Sequence, residues 1–224
     1  MKKIVFLTLL IVLSISQKSN AQLLKDVGIK TGILFSNQQW TYIIGDRTLE
    51  KDFRTSLNFA VNLELLNKEV ITLVTDIRYI QKGFQEKKIV RTPNTPESGQ
   101  MKMYKTRFDY FTFCPQLKVR KEINKVIPYI YVGPRIDFFL SYKSDYDLSP
   151  IENDLEKIVL GFNYGLGISY RIKEIGISIE FTKLYDFTYI VHTQPGPNSA
   201  GLKIKNNAFT IDFGINYYLK QKEK

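Results

Sequence analysis

Cysteine, histidine and tryptophan occur once each in these 224 residues. A lone Cys114 excludes an internal disulfide framework, and its place inside a strand-like run fits a buried structural thiol. One histidine, His192, leaves no His/Cys cluster of the kind that holds zinc. No glycine-rich phosphate loop and no internal repeat are visible, so no cofactor is expected. After the N-terminal stretch nothing approaches 18 consecutive apolar residues, so the body of the chain offers no membrane-spanning helix.

The N-terminus does carry an apolar run. Lys2 and Lys3 precede Ile4 to Ile15, and Ser19-Asn20-Ala21 places small residues at the −3 and −1 positions of a cleavage site. This is the layout of a signal peptide over residues 1–21, too short for a spanning anchor. No cysteine lies near the cleavage point, so no lipoprotein anchor is expected. Net charge is +10, or +7 once Lys2, Lys3 and Lys18 are removed. In an exported chain that surplus points to anionic lipid headgroups or lipopolysaccharide phosphates, with no nucleic acid as partner.

Exported chains without a helix are soluble or are β-barrels. In FRTSLNFAVNLELL, residues 53 to 66, Phe53, Leu57, Phe59, Val61, Leu63 and Leu65 alternate with Arg54, Ser56, Asn58, Asn62 and Glu64. Similar period-2 runs occur at about 27–36, 71–80, 109–120, 128–141, 158–171, 175–188 and 208–219, which is a strand signal. Eight such runs, several longer than the five or six residues usual in soluble proteins, alternate short links (67–68, 121–125, 173–174) with long ones (37–52, 84–104, 142–157, 190–206). The reading is an all-β, eight-stranded antiparallel up-and-down transmembrane β-barrel over residues 22–219, with a charged tail at 220–224 and both termini at the short-turn end.

A small barrel fills its lumen with side chains. The polar face carries both signs: Lys30, Arg54, Glu64, Asp76, Arg78, Lys118, Arg120, Arg135, Asp137, Arg171, Glu180 and Asp212. Such groups can pair inside, whereas lipid offers them nothing. The apolar face therefore points outward. Phe35, Phe53, Tyr79, Tyr185, Phe187 and Tyr189 fall at the loop-side strand ends, and Tyr170 and Tyr217 at the turn side, as two aromatic girdles. Pro128 and Pro134 suggest a bulge or a late-starting fifth strand.

The segments GIKTGILFSN, YFTFCPQLKVR with PYIYVGPRIDFFLS, FNYGLGISYRI, IGISIEF and NNAFTIDFGINYYL together resemble the PorT-like outer-membrane β-barrel family of Bacteroidota across the whole mature chain. The resemblance implies an outer-membrane barrel without an assigned activity, in a family whose name-giving member is linked to a protein secretion system. Such chains often stop at the final aromatic strand; this one adds KQKEK.

Three features bear on chemistry. His192, with Ser199, Asp186 and Glu180 as candidate neighbours near the loop-side rim, is the material for a lipid A-modifying triad. The third loop gathers Asp145, Asp147, Glu152, Asp154 and Glu156, oxygen donors that suit Ca²⁺ but match no EF-hand spacing. The second loop is basic through Lys87, Lys88, Arg91, Lys102 and Lys105, a candidate contact for lipopolysaccharide. A solvated His, a solvated acidic loop and a mobile charged loop are the bland alternatives. The expectation is a monomeric, non-enzymatic barrel with an interaction role at the cell envelope, linked to a secretion assembly and an envelope protein partner. The alternatives are a lipid A-modifying enzyme, a narrow solute pore, or a secreted lipocalin-like binder with its apolar face inward.

Overall fold

The computed structural model describes residues 24–67, 70–90, 100–197 and 199–219. The expected signal peptide, the charged tail and Arg91 lie outside the described residues. The strands are β1 (Leu24–Tyr42), β2 (Arg47–Glu50), β3 (Arg54–Asn67), β4 (Ile71–Val90), β5 (Gln100–Arg120), β6 (Val126–Ser144), β7 (Ile158–Ile172), β8 (Ile175–Asp186), β9 (Val191–Thr193) and β10 (Leu202–Tyr218). One helical turn, α1 (Ser149–Glu152), sits between β6 and β7.

Neighbours in the order β1-β3-β4-β5-β6-β7-β8-β10 pair antiparallel, and β10 returns to β1 from Asp26↔Tyr218 to Tyr42↔Leu202. Eight strands thus close into a ring in which each wall strand has a partner on both sides among the described residues. The two short strands extend the same wall. β2 continues β3 along β1, because Gln39↔Glu50 and Ser36↔Arg54 differ by a single residue of register. The intervening bulge is held by Lys51 N–H donating to Gln38 O at 2.9 Å and by the Asp52–Gln85 bridge. β9 likewise continues β8 along β10 after the excursion at 187–190.

Side chains alternate as the sequence indicates. Along β7, Ile158, Leu160, Tyr164, Leu166, Ile168, Tyr170 and Ile172 are exposed, while Asn163 and Ser169 are buried. On the outside Phe35 stacks on Phe209 at 4.9 Å, and Phe53 and Phe181 also pack on Phe209, forming part of the loop-side girdle. Tight turns close the other end. Asn124 and Lys173 take φ of 57° and 56° there, a region Asn tolerates well and Lys adopts at a modest cost.

Three expectations need correction. The segments 37–52, 84–104 and 190–206 are not simply loops, since β1, β4, β5 and β10 run through much of them; β4 and β5 reach 20 and 21 residues. Pro128 and Pro134 neither delay the strand nor mark a bulge. β6 starts at Val126, and both prolines keep continuous register with β7. The effect of Pro134 falls on the other side: by the register that joins Phe113↔Ile136 to Leu117↔Val132 it faces Pro115, and the ladder is unpaired between those pairs. Neither ring has an N–H to give. Gly133 permits the close approach there, because a Cβ would lie 2.0 Å from Pro115 O. The bulge in this strand pair occurs instead at Asp109/Tyr110. Last, the inner face is not polar throughout. Leu34, Ile80, Phe84, Phe108, Tyr110, Leu184, Ile190, Val191 and Ile204 form a buried apolar cluster in the loop-side half, with Leu148 beside α1 joining it.

Candidate functional site

The strand walls bring charges from distant parts of the chain into one column. At the turn end Glu64 of β3 accepts from Lys25 at 3.2 Å, from Lys118 at 3.0 Å and from Arg120 at 2.5 Å. A cavity of 1410 Å³ opens at this end, lined among others by Lys25, Arg120, Tyr129, Arg171 and Tyr218. Above it, Lys30 of β1 lies 3.3 Å from Asp76 and 2.9 Å from Glu180. Arg78 lies 2.6 Å from Asp76 and 2.8 Å from Asp212, while Asn62 and Asn58 donate to Asp76 and Asp212. Tyr129 Oη donates to Glu180 at 2.8 Å.

A further cluster sits nearer the loops. Lys82 Nζ lies 2.6 Å from Asp137 and 3.0 Å from Asp186, and Arg135 bridges the same two carboxylates. Thr112 donates to Asp137 at 2.9 Å and Asn206 to Asp186 at 3.1 Å, while Arg135 Nη1 is buried without a hydrogen-bond partner among the described residues. Cations and carboxylates alternate through this column, so no single-sign field lines the bore. Arg78, Lys82, Asp76, Asp137 and Asp212 are each 2% exposed or less. Such a column fixes wall against wall.

The rim adds an aromatic clamp outside the lipid-facing height. Lys51 pairs with Glu86 at 2.9 Å and lies over the Trp40 ring at 5.0 Å. Tyr146 Oη donates to Glu86, and Tyr146 packs on Phe84 at 5.6 Å. Burial pulls the Glu86 carboxyl up, but the hydrogen bonds from Lys51 and Tyr146 outweigh it and leave it below the usual carboxylate range. Burial and the same bond push the Tyr146 phenol well up.

Of the residues that the sequence grouped as a lumen network, Lys30, Glu64, Asp76, Arg78, Arg135, Asp137, Glu180 and Asp212 lie in the column. Arg54 stands apart at its loop-side edge, donating weakly to Gln81 O at 3.4 Å. Arg171 is at the turn-side mouth, 3.8 Å from Glu122 and over the Tyr218 ring at 4.5 Å. Lys82 and Asp186 also belong to the column; Lys82 follows the last clearly alternating residue of its run, and Asp186 lies on the polar face of the run over 175–188, where the sequence offers it as a neighbour for His192.

The triad material is not assembled. His192 is exposed on the outer wall, its ring tilted against Tyr189 at 5.4 Å, whereas Asp186 and Glu180 are tied to lumen cations. Ser199 Oγ accepts from Gly201 N–H at 3.2 Å. In the acidic loop Asp147 accepts from Ser149 N–H at 3.0 Å and Asp145 from Lys105 N–H at 3.0 Å. Among the described residues no group of three or more His, Cys, Asp or Glu side chains could hold a metal. The basic second loop is largely β-hairpin. Lys87 pairs with Met103 and Lys105 with Gln85, while Lys88 and Lys102 lie over the Tyr146 and Tyr104 rings at 4.4 and 5.3 Å.

The family described as outer membrane protein beta-barrel domain matches residues 16–219, and the chain belongs to it. Its place is therefore the outer membrane. Among solved structures it is similar to the outer membrane protein OprG from Pseudomonas aeruginosa, with TM-score 0.52 and 10% identity over 88% of this chain and 98% of that one. It is also similar to AlkL, with TM-score 0.47 and 17% identity over 92% and 96%. The outer membrane protease OmpT from Escherichia coli gives TM-score 0.44 and 11% identity over 88% and 97%. At these identities the likeness speaks for the fold alone. A comparison with curated protein sequences finds no match.

Proposed function

We propose that this member of the outer membrane protein beta-barrel family is a non-enzymatic, monomeric interaction protein whose loop-side rim docks an envelope protein, as in the secretion-linked, PorT-like branch its sequence resembles. The observation that carries the reading is the β4–β5 hairpin. A strand tilted by about 40° climbs about 2.5 Å per residue, so Ile89 stands about 45 Å above Ile71, against a lipid band of about 25 Å. There Ile89 and Met101 are 63% and 76% exposed on the outward side, above any lipid that could cover them. An apolar cross-strand pair standing in water in this way suits a protein partner. The paired-charge column supports a role other than conduction, and the separation of His192 from Asp186 and Ser199 supports a role other than catalysis.

The test is a photo-crosslinking residue at Met101 in intact cells, with the same probe at lipid-facing Ile168 as control. A discrete protein adduct from Met101 alone is the expected result. Only lipid adducts from both positions would defeat the docking reading.

A further inference from the structure

The outer wall changes character along β10. From the turn end upward, Tyr217, Ile215, Phe213, Ile211 and Phe209 face out; then Asn207, Lys205 and Lys203 take the same parity, while Leu202 and Ile204 turn inward and are buried. This inversion of phase marks where lipid gives way to water. Rising about 2.5 Å per residue from Tyr217, Phe209 lies at about 20 Å, Asn207 at about 25 Å and Lys205 at about 30 Å. The edge of the lipid band thus falls near Asn207.

Lys183 of β8 is paired with Phe209 and faces outward between Phe181 and Tyr185. A charge facing acyl chains is unfavourable unless it can reach the interface. Its ammonium does so by donating to Asn207, so it snorkels to the band's edge. Lys205 lies directly above, over Tyr189 at 4.9 Å and Tyr185 at 5.6 Å, and Lys203 lies over Tyr189 at 5.6 Å. His192 pairs with Lys203 on the same face. The tyrosine rings hold the Lys203 and Lys205 ammonium groups near the wall without neutralising them. Among the described residues no carboxylate pairs with these three lysines. Glu50 stands two strands away across Gln39, about 10 Å at the backbone, and forms no ion pair with Lys205.

We propose that Lys183, Lys203 and Lys205, with Tyr185 and Tyr189, form a binding site for a phosphate of outer-leaflet lipid A. Short turns mark the periplasmic end and the long-strand rim the outer one, so this cluster stands at the height of the outer headgroups. The complementarity is of charge and of position: unpaired ammonium groups at the edge of the band meet a dianionic group anchored at that level by its own acyl chains. Lys87 and Lys105 stand on β4 and β5, three and four strands round the wall from β10, and are not part of it.

The test uses native mass spectrometry of the full detergent-purified protein titrated with phosphorylated lipid A, with phosphatase-treated lipid A, and with inorganic phosphate. The triple variant Lys183→Gln/Lys203→Gln/Lys205→Gln is compared with Lys87→Gln/Lys105→Gln. The expected result is about tenfold or greater weakening of phosphorylated lipid A binding by the triple variant, a similar loss on phosphatase treatment, and none in the hairpin variant. Millimolar inorganic phosphate should displace no lipid. Equal binding by wild type and triple variant overturns the proposal, as does equal binding of treated lipid A. Displacement by inorganic phosphate would reassign the cluster to free anions and overturn the lipid. Should the triple variant lose its boiling-dependent gel shift, Lys205→Gln alone carries the comparison, and unchanged binding there overturns the site.

Discussion

Replacing Lys82 by Met keeps the length of the side chain and removes one charge from the lumen. Lys82 is fully buried, 2.6 Å from Asp137 and 3.0 Å from Asp186, with its ammonium over Tyr110 at 5.4 Å. Removing one partner of a buried ion pair costs about 3–5 kcal/mol, because the other charge stays behind unpaired. Arg135 still bonds both carboxylates, which places the expected loss at the lower end, about 3 kcal/mol. With a urea slope of about 2 kcal/mol/M, the midpoint should fall by about 1.5 M. The double variant Lys82→Met/Asp186→Asn leaves one cation facing one carboxylate and should recover more than half of that loss. Arg171→Met is the control, since its contact with Glu122 is 3.8 Å and both side chains are substantially exposed; it should cost about 0–1 kcal/mol. The assay is urea unfolding in lipid vesicles, read by Trp40 fluorescence and by gel mobility. If Lys82→Met and Arg171→Met unfold at the same midpoint, the column is hydrated and the lumen is not sealed.

Other outcomes follow from the same geometry. Leu166→Lys, on the lipid face of β7 where Leu166 is 59% exposed, should cost about 2–4 kcal/mol in vesicles, and a neutral effect would place that face in water. Cys114 is fully buried in the lumen, so a bulky maleimide should label it only after unfolding; rapid labelling of the folded protein contradicts the filled bore. Because the folded Glu86 carboxyl titrates below its ordinary value, its contribution is complete above that value and fades as pH falls through the folded one. Wild type should therefore lose rim stability, measured as protease resistance of the segment 145–157 that follows β6, on acidification below about pH 4. Glu86→Gln should flatten that dependence.

The part of the fold that touches lipid was legible in the sequence, because lipid enforces an outward apolar face against an inward polar one. FNYGLGISYRI reads directly as β7 for that reason. Legibility ends where the strand leaves the membrane. In QKGFQEKKIV the ladder of β4 continues, yet the outward places become Gln81, Gln85 and Lys87 while Phe84 turns inward, so apolar periodicity fades and a strand reads as a loop. In LKIKNN of β10 the phase inverts outright. The lumen column was partly legible for a related reason: parity identifies which residues face inward, but height along the strand decides whether an inward Arg is buried or stands at a mouth. Arg78 and Arg171 have the same parity relation to their strands, and only the register of β7 with the turn end separates them. Lys82 lies beyond the lipid-patterned run of β4, so periodicity does not assign it a face.

The barrel's closure and its place in lipid are tested together by one measurement, the mobility on SDS gels, before and after boiling, of the protein in isolated outer membranes. A closed ring of eight strands with an outward apolar wall should stay in the membrane fraction and run faster unboiled than boiled. A protein that leaves the membranes in salt and alkali and shows no boiling-dependent shift would contradict it.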